Sequence, residues 1–542
     1  MTGAGRRPTA YDSENAESRG PAPVDAGPAR KEHDETAVPL ERLVEAAGLG
    51  NLLTDSVATD RSGALAGFVI TNISADSKRI RPGGLFVAVP GTQRDGHAFV
   101  ADAVERGAMV AIVERPVALE DPIPQLVVED TRRALALLAG AFHGNPGRRV
   151  PLIGITGTVG KTSVLSMLDA ILVGADRRPG SIGSLGVSVA GVPLERTEHT
   201  TPDAVRLQEE LATVVDAGCD VVAMEVTSHA LVQERVYGLT YELAVFTNLL
   251  PLEHEDYHGS FREYVTAKSR FFNTLAPRAP LVYNADDLSV RALARQQNVR
   301  RVGCSFQHFA PVRMHSARLR GDRTEFSLRI RRPLPRMDGG EVAPLELPLS
   351  LRVHGGSGLY NGALAAAAAL CAGVPAEAVR ETLAAFPPPP RRMQILEHAA
   401  FTILDDTVGH PESVSALFRV VRRMPHRRLH VAFAVRGRRG EGINRETALS
   451  LAIWSRRVPL STLVVTRSVE ATDERNRVEH AERAAFVEPL RKAGLPVVEE
   501  LRLEDAVHRV LDAAADGDLV LLLGAQGMDR GASIAEAWLR NR

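Results

Sequence analysis

The residues with the clearest chemical potential lie in one run, Thr156-Gly157-Thr158-Val159-Gly160-Lys161-Thr162-Ser163. Glycines let backbone N–H groups approach phosphate oxygens, and a lysine screens the outer phosphates. A threonine hydroxyl ligates Mg²⁺. Gly157, Thr158, Gly160, Lys161, Thr162 and Ser163 are therefore the expected triphosphate contacts. Only two residues separate Gly157 from Gly160, so the loop is a variant of the usual spacing. Two further groups fit the same chemistry. Glu225 ends the apolar run Val221 to Val226, where a carboxylate near Thr162 could ligate the nucleotide's metal. His254 follows the run Leu243 to Asn248, within Glu253-His254-Glu255-Asp256-Tyr257-His258, and could join a second metal site. Taken singly, each reads equally well as an ordinary loop residue. Lys268 by itself reads as a solvated lysine on a helix expected from Phe261 to Leu275.

These groups need elements to hold them. Leu152 to Ile155 is a short apolar run ahead of the glycines, and Val164, Leu165, Leu168, Ile171 and Leu172 follow at helical spacing. Strand, glycine loop and helix in that order form a phosphate cradle, to which the helix start adds partial positive charge. Beyond it, strands and helices alternate through Ala204 to Ala217, Val221 to Val226 and Leu243 to Asn248. That pattern predicts a parallel sheet with its ligand site at the strands' C-terminal ends.

A chain of 542 residues predicts about three domains. The first 38 residues are polar and rich in Ala, Gly and Pro. They carry too little apolar surface to offset the cost of ordering, so a disordered tail is expected. Residues 39–149 read as a compact α/β unit. In it Ser77, Asp95 and His97 sit in polar loops beside the strand Leu85 to Val89, where they could hold a diphosphate or simply be solvated. Residues 150–390 form the central unit, closed by the four prolines Pro387 to Pro390, a stiff connector. Residues 391–542 repeat the alternation, with strands expected at Phe401 to Leu404, Leu429 to Ala434, Thr462 to Val465 and Leu519 to Leu523. The expected result is a second doubly wound, Rossmann-like sheet. Its candidate site loops hold Asp406 and His410, Arg436, and Asp529.

Composition narrows the function class. With 65 basic and 66 acidic residues the net charge is −1, which gives no general pull toward nucleic acid or a membrane surface. No apolar stretch reaches bilayer length and no secretion signal is apparent. The three cysteines, Cys219, Cys304 and Cys371, are widely spaced and odd in number, which suits buried thiols of a cytoplasmic protein.

Taken together, these stretches resemble the Mur ligases, within them the UDP-N-acetylmuramoyl-tripeptide synthetases of the MurE-like branch. Thr156 to Thr162 is similar to the family's ATP loop. Thr200-Thr201-Pro202, Met224 to Leu231, Phe246-Thr247-Asn248 and His254 to His258 are similar to its central motifs. Asp76-Ser77-Lys78 and Asp95-Gly96-His97 are similar to its nucleotide-sugar domain. The resemblance implies a three-domain α/β ligase, monomeric, that adds an amino acid to a UDP-N-acetylmuramoyl-peptide carboxylate. The carboxylate would attack ATP to give an acyl phosphate, and an amine would then displace phosphate. By the same resemblance, Lys161, Glu225, His254 and Lys268 are catalytic, with Lys268 carbamylated and joining Thr162, Glu225 and His254 around Mg²⁺. Asn248, Asn361, Arg392 and Asp406 match ATP contacts. Ser77, Asp95, His97, Thr200, Thr201, Thr227, Ser228, Gln233 and Arg235 match contacts to the sugar-peptide. His410, Arg436 and Asp529 are the weaker candidates for the amino acid.

Departures from the family pattern mark what could differ. Val159 replaces the usual Asn of the phosphate loop, Thr227 a Ser, and Gly358 the Asn three residues before Asn361. In the last domain the Asp-Asn-Pro-Arg motif is absent near Val465 to Ser468, and Gly524 to Asp529 replaces the usual Gly-Lys-Gly-His-Glu. Meso-diaminopimelate is thus not the expected amine, or is bound differently. A ligase for a specialised peptide or metabolite, and a non-catalytic nucleotide-binding regulator, stand as alternatives.

Overall fold

The computed structural model describes residues 37–49, 67–91, 94–195, 197, 199–250, 260–320, 323–352, 356–387, 391, 393–396, 400–438 and 440–540. Three sheets carry the architecture. The first is a parallel four-stranded sheet of Asn72–Ser74, Gly84–Val87, Ala108–Val113 and Gln125–Val127, in sequence order. Ahead of it, Val38–Pro39 pairs antiparallel with Val69–Ile70. Val38, expected in the tail, therefore belongs to the folded unit.

The central sheet has eleven strands. Its middle is parallel and runs Pro179–Gly183, Val221–Glu225, Leu152–Thr156, Leu243–Phe246, Pro280–Asn284 and Arg300–Ser305. Alternation along these strands feeds two cores. Ile153, Ile155, Val221, Ala223, Leu243 and Val245 face the helices Lys161–Gly174 and Gly356–Cys371. Leu152, Val222, Met224, Ala244 and Phe246 face the layer holding the helix Ala204–Asp216. Burial on both faces is what near-continuous apolar strands require. Beyond Ser305 the sheet continues through Val312–Arg320, Arg323–Ile330 and Leu345–Leu351, the last two joined antiparallel. This extension was not foreseen. Its strands alternate buried and exposed positions, which read as separate polar segments without a partner sheet in view.

The helix expected from Phe261 to Leu275 is an α-helix over Phe261–Ser269 and a 3₁₀ turn over Arg270–Thr274. The tighter turn lets consecutive Phe271 and Phe272 both enter the core.

The last sheet has the order Gln394–Leu396, Thr402–Asp406, Leu519–Leu523, Leu429–Ala434, Thr462–Thr466 and Val497–Glu500, parallel except at its first pair. The chain leaves Thr402–Asp406, winds outward through three strands, and returns to insert Leu519–Leu523 beside its start. The strands' C-terminal ends, with the loops after Asp406, Ala434, Thr466 and Leu523, thus meet around one crevice.

Candidate functional site

The central cluster begins at the glycine loop. Leu152–Thr156 delivers the chain into the loop, and helix Lys161–Gly174 starts directly after Gly160. Gly157 has φ 138° and Gly160 φ 91°, both in the region that favours glycine. A Cβ on Gly157 would collide with the Thr247 hydroxyl, and one on Gly160 with the Asn361 amide. Asn361 therefore lies against the loop it was expected to serve. Asn248 grips the peptide of Val159 from both sides. Its Oδ1 accepts from Val159 N at 3.0 Å and its Nδ2 donates to Val159 O at 2.9 Å. Thr247 Oγ1 donates to the same carbonyl at 2.7 Å. The loop is thus held through its main chain, and the side chain at position 159 takes no part in these bonds. Lys161 Nζ donates to Gly157 O and Thr158 O, at 2.9 and 2.8 Å, which keeps the ammonium at the loop.

Glu225 is fully enclosed. Its Oε2 accepts from the Thr162 hydroxyl at 3.1 Å and its Oε1 from Ser184 N at 2.8 Å. A hydroxyl and a carboxylate this close are hard oxygen donors of the kind a divalent cation takes. Thr201 links the next layer. Its hydroxyl donates to Glu225 O at 2.9 Å and accepts from Thr227 N at 3.1 Å. Arg235 Nη1 donates to Thr201 O at 2.7 Å, and its Nε and Nη2 both donate to Gln233 Oε1, at 2.9 and 2.7 Å. Thr200 pairs with the Ser184 hydroxyl at 2.9 Å. Thr227 caps the short helix Ser228–Val232, and Ser228 is buried at its first turn.

Lys268 is 1% exposed, not the solvated residue its sequence context suggests. Its Nζ donates to Thr156 Oγ1 at 3.2 Å and Gly157 O at 3.0 Å, beneath the phosphate loop, and lies over the Tyr264 ring at 5.7 Å. Tyr264 in turn bonds the Thr158 hydroxyl at 3.0 Å. His254 and Arg392 lie outside the described residues.

Ser184, Thr247 and Tyr264 were missed as members of this cluster. Ser184 and Thr247 stand inside runs that the sequence flagged, but small hydroxyl residues carry no spacing signal of their own. Tyr264, one turn before Lys268, reads as plain core.

A second group sits in the first domain. Asp76 caps the turn Ser77–Arg79, and Ser77 is buried there. Asp95 accepts from His97 N at 3.0 Å and pairs with His97 Nδ1 at 2.7 Å and with Arg115. The His97 N–H, then Arg115 and the imidazole, hold this carboxyl far below the usual range. His97 Nε2 accepts from Glu114 N at 2.9 Å, so Nδ1 carries the proton in a neutral ring. Both His97 nitrogens are taken by protein. In this structure the ring shapes the loop.

The third group lines the crevice of the last sheet. Asp406 Oδ2 accepts from Met393 N at 2.7 Å. His410 caps the helix Pro411–Val421 through a reciprocal arrangement with Ser413. It is nine-tenths buried, so it builds the loop's end rather than projecting into the crevice. Arg436 packs against Gly409, whose added Cβ would lie 3.3 Å from its Nη1. Asn444 Nδ2 donates to Arg436 O at 2.9 Å and Gly440 O at 3.0 Å, closing that loop. Asp529 pairs with Arg391. Arg391 is the residue sequence reading missed here.

Comparison with known proteins covers all three sheets. The model of the "Mur ligase family, catalytic domain" matches residues 69–143, that of the "Mur ligase middle domain" 155–370, and that of the "Mur ligase, glutamate ligase domain" 391–526. The UDP-N-acetylmuramoyl-L-alanyl-D-glutamate–2,6-diaminopimelate ligase of Geobacillus kaustophilus is 32% identical over 463 residues, 84% of this chain and 89% of that protein. The Chlorobaculum tepidum protein of the same name is 43% identical over 269 residues, about half of each chain. Among solved structures, the MurF ligase of Thermotoga maritima in complex with ADP superposes with a TM-score of 0.58 at 20% identity. The overlap covers 87% of this chain and 98% of that one, a likeness of fold.

Proposed function

This chain belongs to the Mur ligase family and is an ATP-dependent amide-forming ligase, and from that premise we propose that it extends a UDP-N-acetylmuramoyl peptide by one amino acid. The observation that carries the reading is the hydrogen-bonded line from Thr162, next to Lys161 at the glycine loop, through Glu225 and Thr201 to Thr227 and Arg235. It joins a triphosphate cradle to a polar floor suited to a second anionic substrate.

In this reading Gly157, Thr158, Gly160, Lys161, Thr162 and Ser163 hold the phosphates, with Asn248 and Asn361 bracing the loop. Thr162 and Glu225, with His254, would hold Mg²⁺, which screens the meeting of carboxylate and γ-phosphate when bound. Lys161 lies where charge develops on the transferred phosphoryl group. Thr200, Thr201, Thr227, Ser228, Gln233 and Arg235 orient the sugar-peptide so that its terminal carboxylate faces that group. Ser77, Asp95 and His97 belong to the part that takes the uridine diphosphate. Arg392 and Asp406 complete the ATP site across the cleft, and His410, Arg436 and Asp529 frame the crevice for the amine. Lys268 serves as a carbamate, its burial under the loop being the supporting observation. The protein acts as a cytoplasmic monomer. Among the described residues no helix is long and apolar enough to cross a membrane.

The rebuilt amine crevice favours one variation. Beyond Thr466 this chain reads Arg467-Ser468-Val469-Glu470, without the Asp-Asn-Pro-Arg motif that the resemblance leads one to expect there. A different amino acid, on the same or a specialised acceptor, fits that change. The enzyme class removes the non-catalytic reading raised by the sequence. The test is phosphate release from ATP with UDP-N-acetylmuramoyl-L-alanyl-D-glutamate and a panel of amino acids. Turnover that requires both acid and amine is expected. Absence of turnover with every pair would defeat the proposal.

A further inference from the structure

Arg391 opens the last domain directly after the prolines, with φ 57°, a left-handed conformation uncommon for a residue with a Cβ. Its main chain is fastened on both sides. Arg391 N donates to Gln394 Oε1 at 2.9 Å, and Thr407 N donates to Arg391 O at 2.9 Å. The side chain then crosses the ends of two neighbouring strands, Thr402–Asp406 and Leu519–Leu523. Nε shares both oxygens of Asp405, at 3.3 and 3.2 Å. Nη1 donates to Ala525 O at 3.1 Å and to the Asp529 carboxylate, and Nη2 to Gly524 O at 2.5 Å. One planar fork thus satisfies two carboxylates and two carbonyls, a task the single ammonium of a lysine cannot repeat.

Three of those four partners belong to residues 524–529. That loop also forms a wall of the amine crevice: Ala525 lies against Gly409, and Gly527 against Ala434 and Ser468. The two carboxylates differ. Asp405 is fully enclosed, whereas the Asp529 side chain is 60% exposed. Asp405 needs the guanidinium to be tolerated where it is. Asp529 is free to exchange it for water.

We propose that Arg391 is a positioning residue for the amine substrate, tying the start of the last domain to the 524–529 loop so that the crevice wall is built only while the Arg391 fork holds it. The assignment of the amine to this crevice rests on the ligase reading above, but the ordering of the loop does not.

The experiment compares wild type, Arg391→Lys and Asp529→Asn as full-length proteins. Hydrogen exchange is followed across residues 524–529, where Gly524, Met528 and Asp529 amides are bonded to Asp406, Ala525 and Gln526 carbonyls. ATP turnover is measured with UDP-N-acetylmuramoyl-L-alanyl-D-glutamate and the panel amino acid that turns over fastest. In Arg391→Lys these amides should exchange at least tenfold faster, and KM for the amino acid should rise at least tenfold with KM for ATP within twofold. Asp529→Asn should shift both readouts the same way by about threefold. Because Asp529 is exposed, that variant keeps the test open if Arg391→Lys does not fold. Unchanged exchange in the folded variants would overturn the proposal. So would faster exchange with every KM rising alike, or with none rising. If no amino acid supports turnover in wild type, the ligase reading fails, while the exchange result still decides whether Arg391 orders the loop.

Discussion

The phosphate loop and the crevice of the last sheet sit at equivalent places, each at the C-terminal ends of parallel strands, yet they are built on different principles. The phosphate loop is a main-chain device. Asn248 and Thr247 hold the Val159 peptide, the glycines set the path, and the charged groups Lys161 and Glu225 come to it from a helix start and a strand end. The last-sheet crevice is a side-chain device, with Arg391 bridging Asp405, Asp529 and two carbonyls. Main-chain geometry tolerates little change in glycine placement but is indifferent to Val159. Side-chain bridges can be rebuilt residue by residue while the sheet beneath stays the same.

Four measurements would break or sharpen that contrast. Lys161→Ala should lower kcat/KM by about a thousandfold, roughly 4 kcal/mol of barrier, because a charge aimed at the transferred group is lost from a prebuilt site. A loss under tenfold would mean that the cradle is not the reacting centre. Lys268→Ala should cost about a hundredfold, with part of the rate restored by added bicarbonate or a short-chain carboxylate. A wild-type rate would return Lys268 to a packing role beside Tyr264.

On the amine side, burial pushes the Asp405 carboxyl from 3.8 to about 6, against the pull of Arg391. Between those values the folded chain holds a proton that the unfolded chain has released. This group's contribution to stability therefore falls as pH rises through that window. Asp405→Asn should remove the slope, so the variant gains on wild type by on the order of 2 kcal/mol between pH 4 and 7 in paired denaturation curves. Parallel curves would show that Arg391 compensates the carboxylate fully. The smallest effect belongs to the cradle: Val159→Asn should change KM for ATP by less than about twofold, since position 159 acts through its peptide group. A larger change would make the loop depend on side chains after all.

Much of the scaffold was legible. The apolar runs at Leu152, Val221, Leu243, Leu429, Thr462 and Leu519 announced buried parallel strands because both faces of each must be covered. Gly157 and Gly160 announced the loop because few other residues adopt those backbone angles. The antiparallel extension from Val312 to Leu351 was not legible, since alternate positions of its strands face solvent and its polar, arginine-rich segments carry no continuous apolar run, although they pair as near neighbours in sequence. Lys268, His97 and His410 show the same limit at single residues. Lys268 looks solvated but is sealed, and the two histidines look available but are occupied by Asp95 and Glu114 or by a helix cap.

What the sequence determined by itself were the buried parallel strands, the glycine loop, the helix start after it, and the order of motifs along the chain, all of which rest on local backbone and burial demands. The tertiary structure alone decided which polar groups meet. Lys268 lies 112 residues from Thr156, and Asp529 lies 138 from Arg391. Contacts over such separations are set by strand order, and strand order follows from how whole faces bury one another rather than from any stretch read alone.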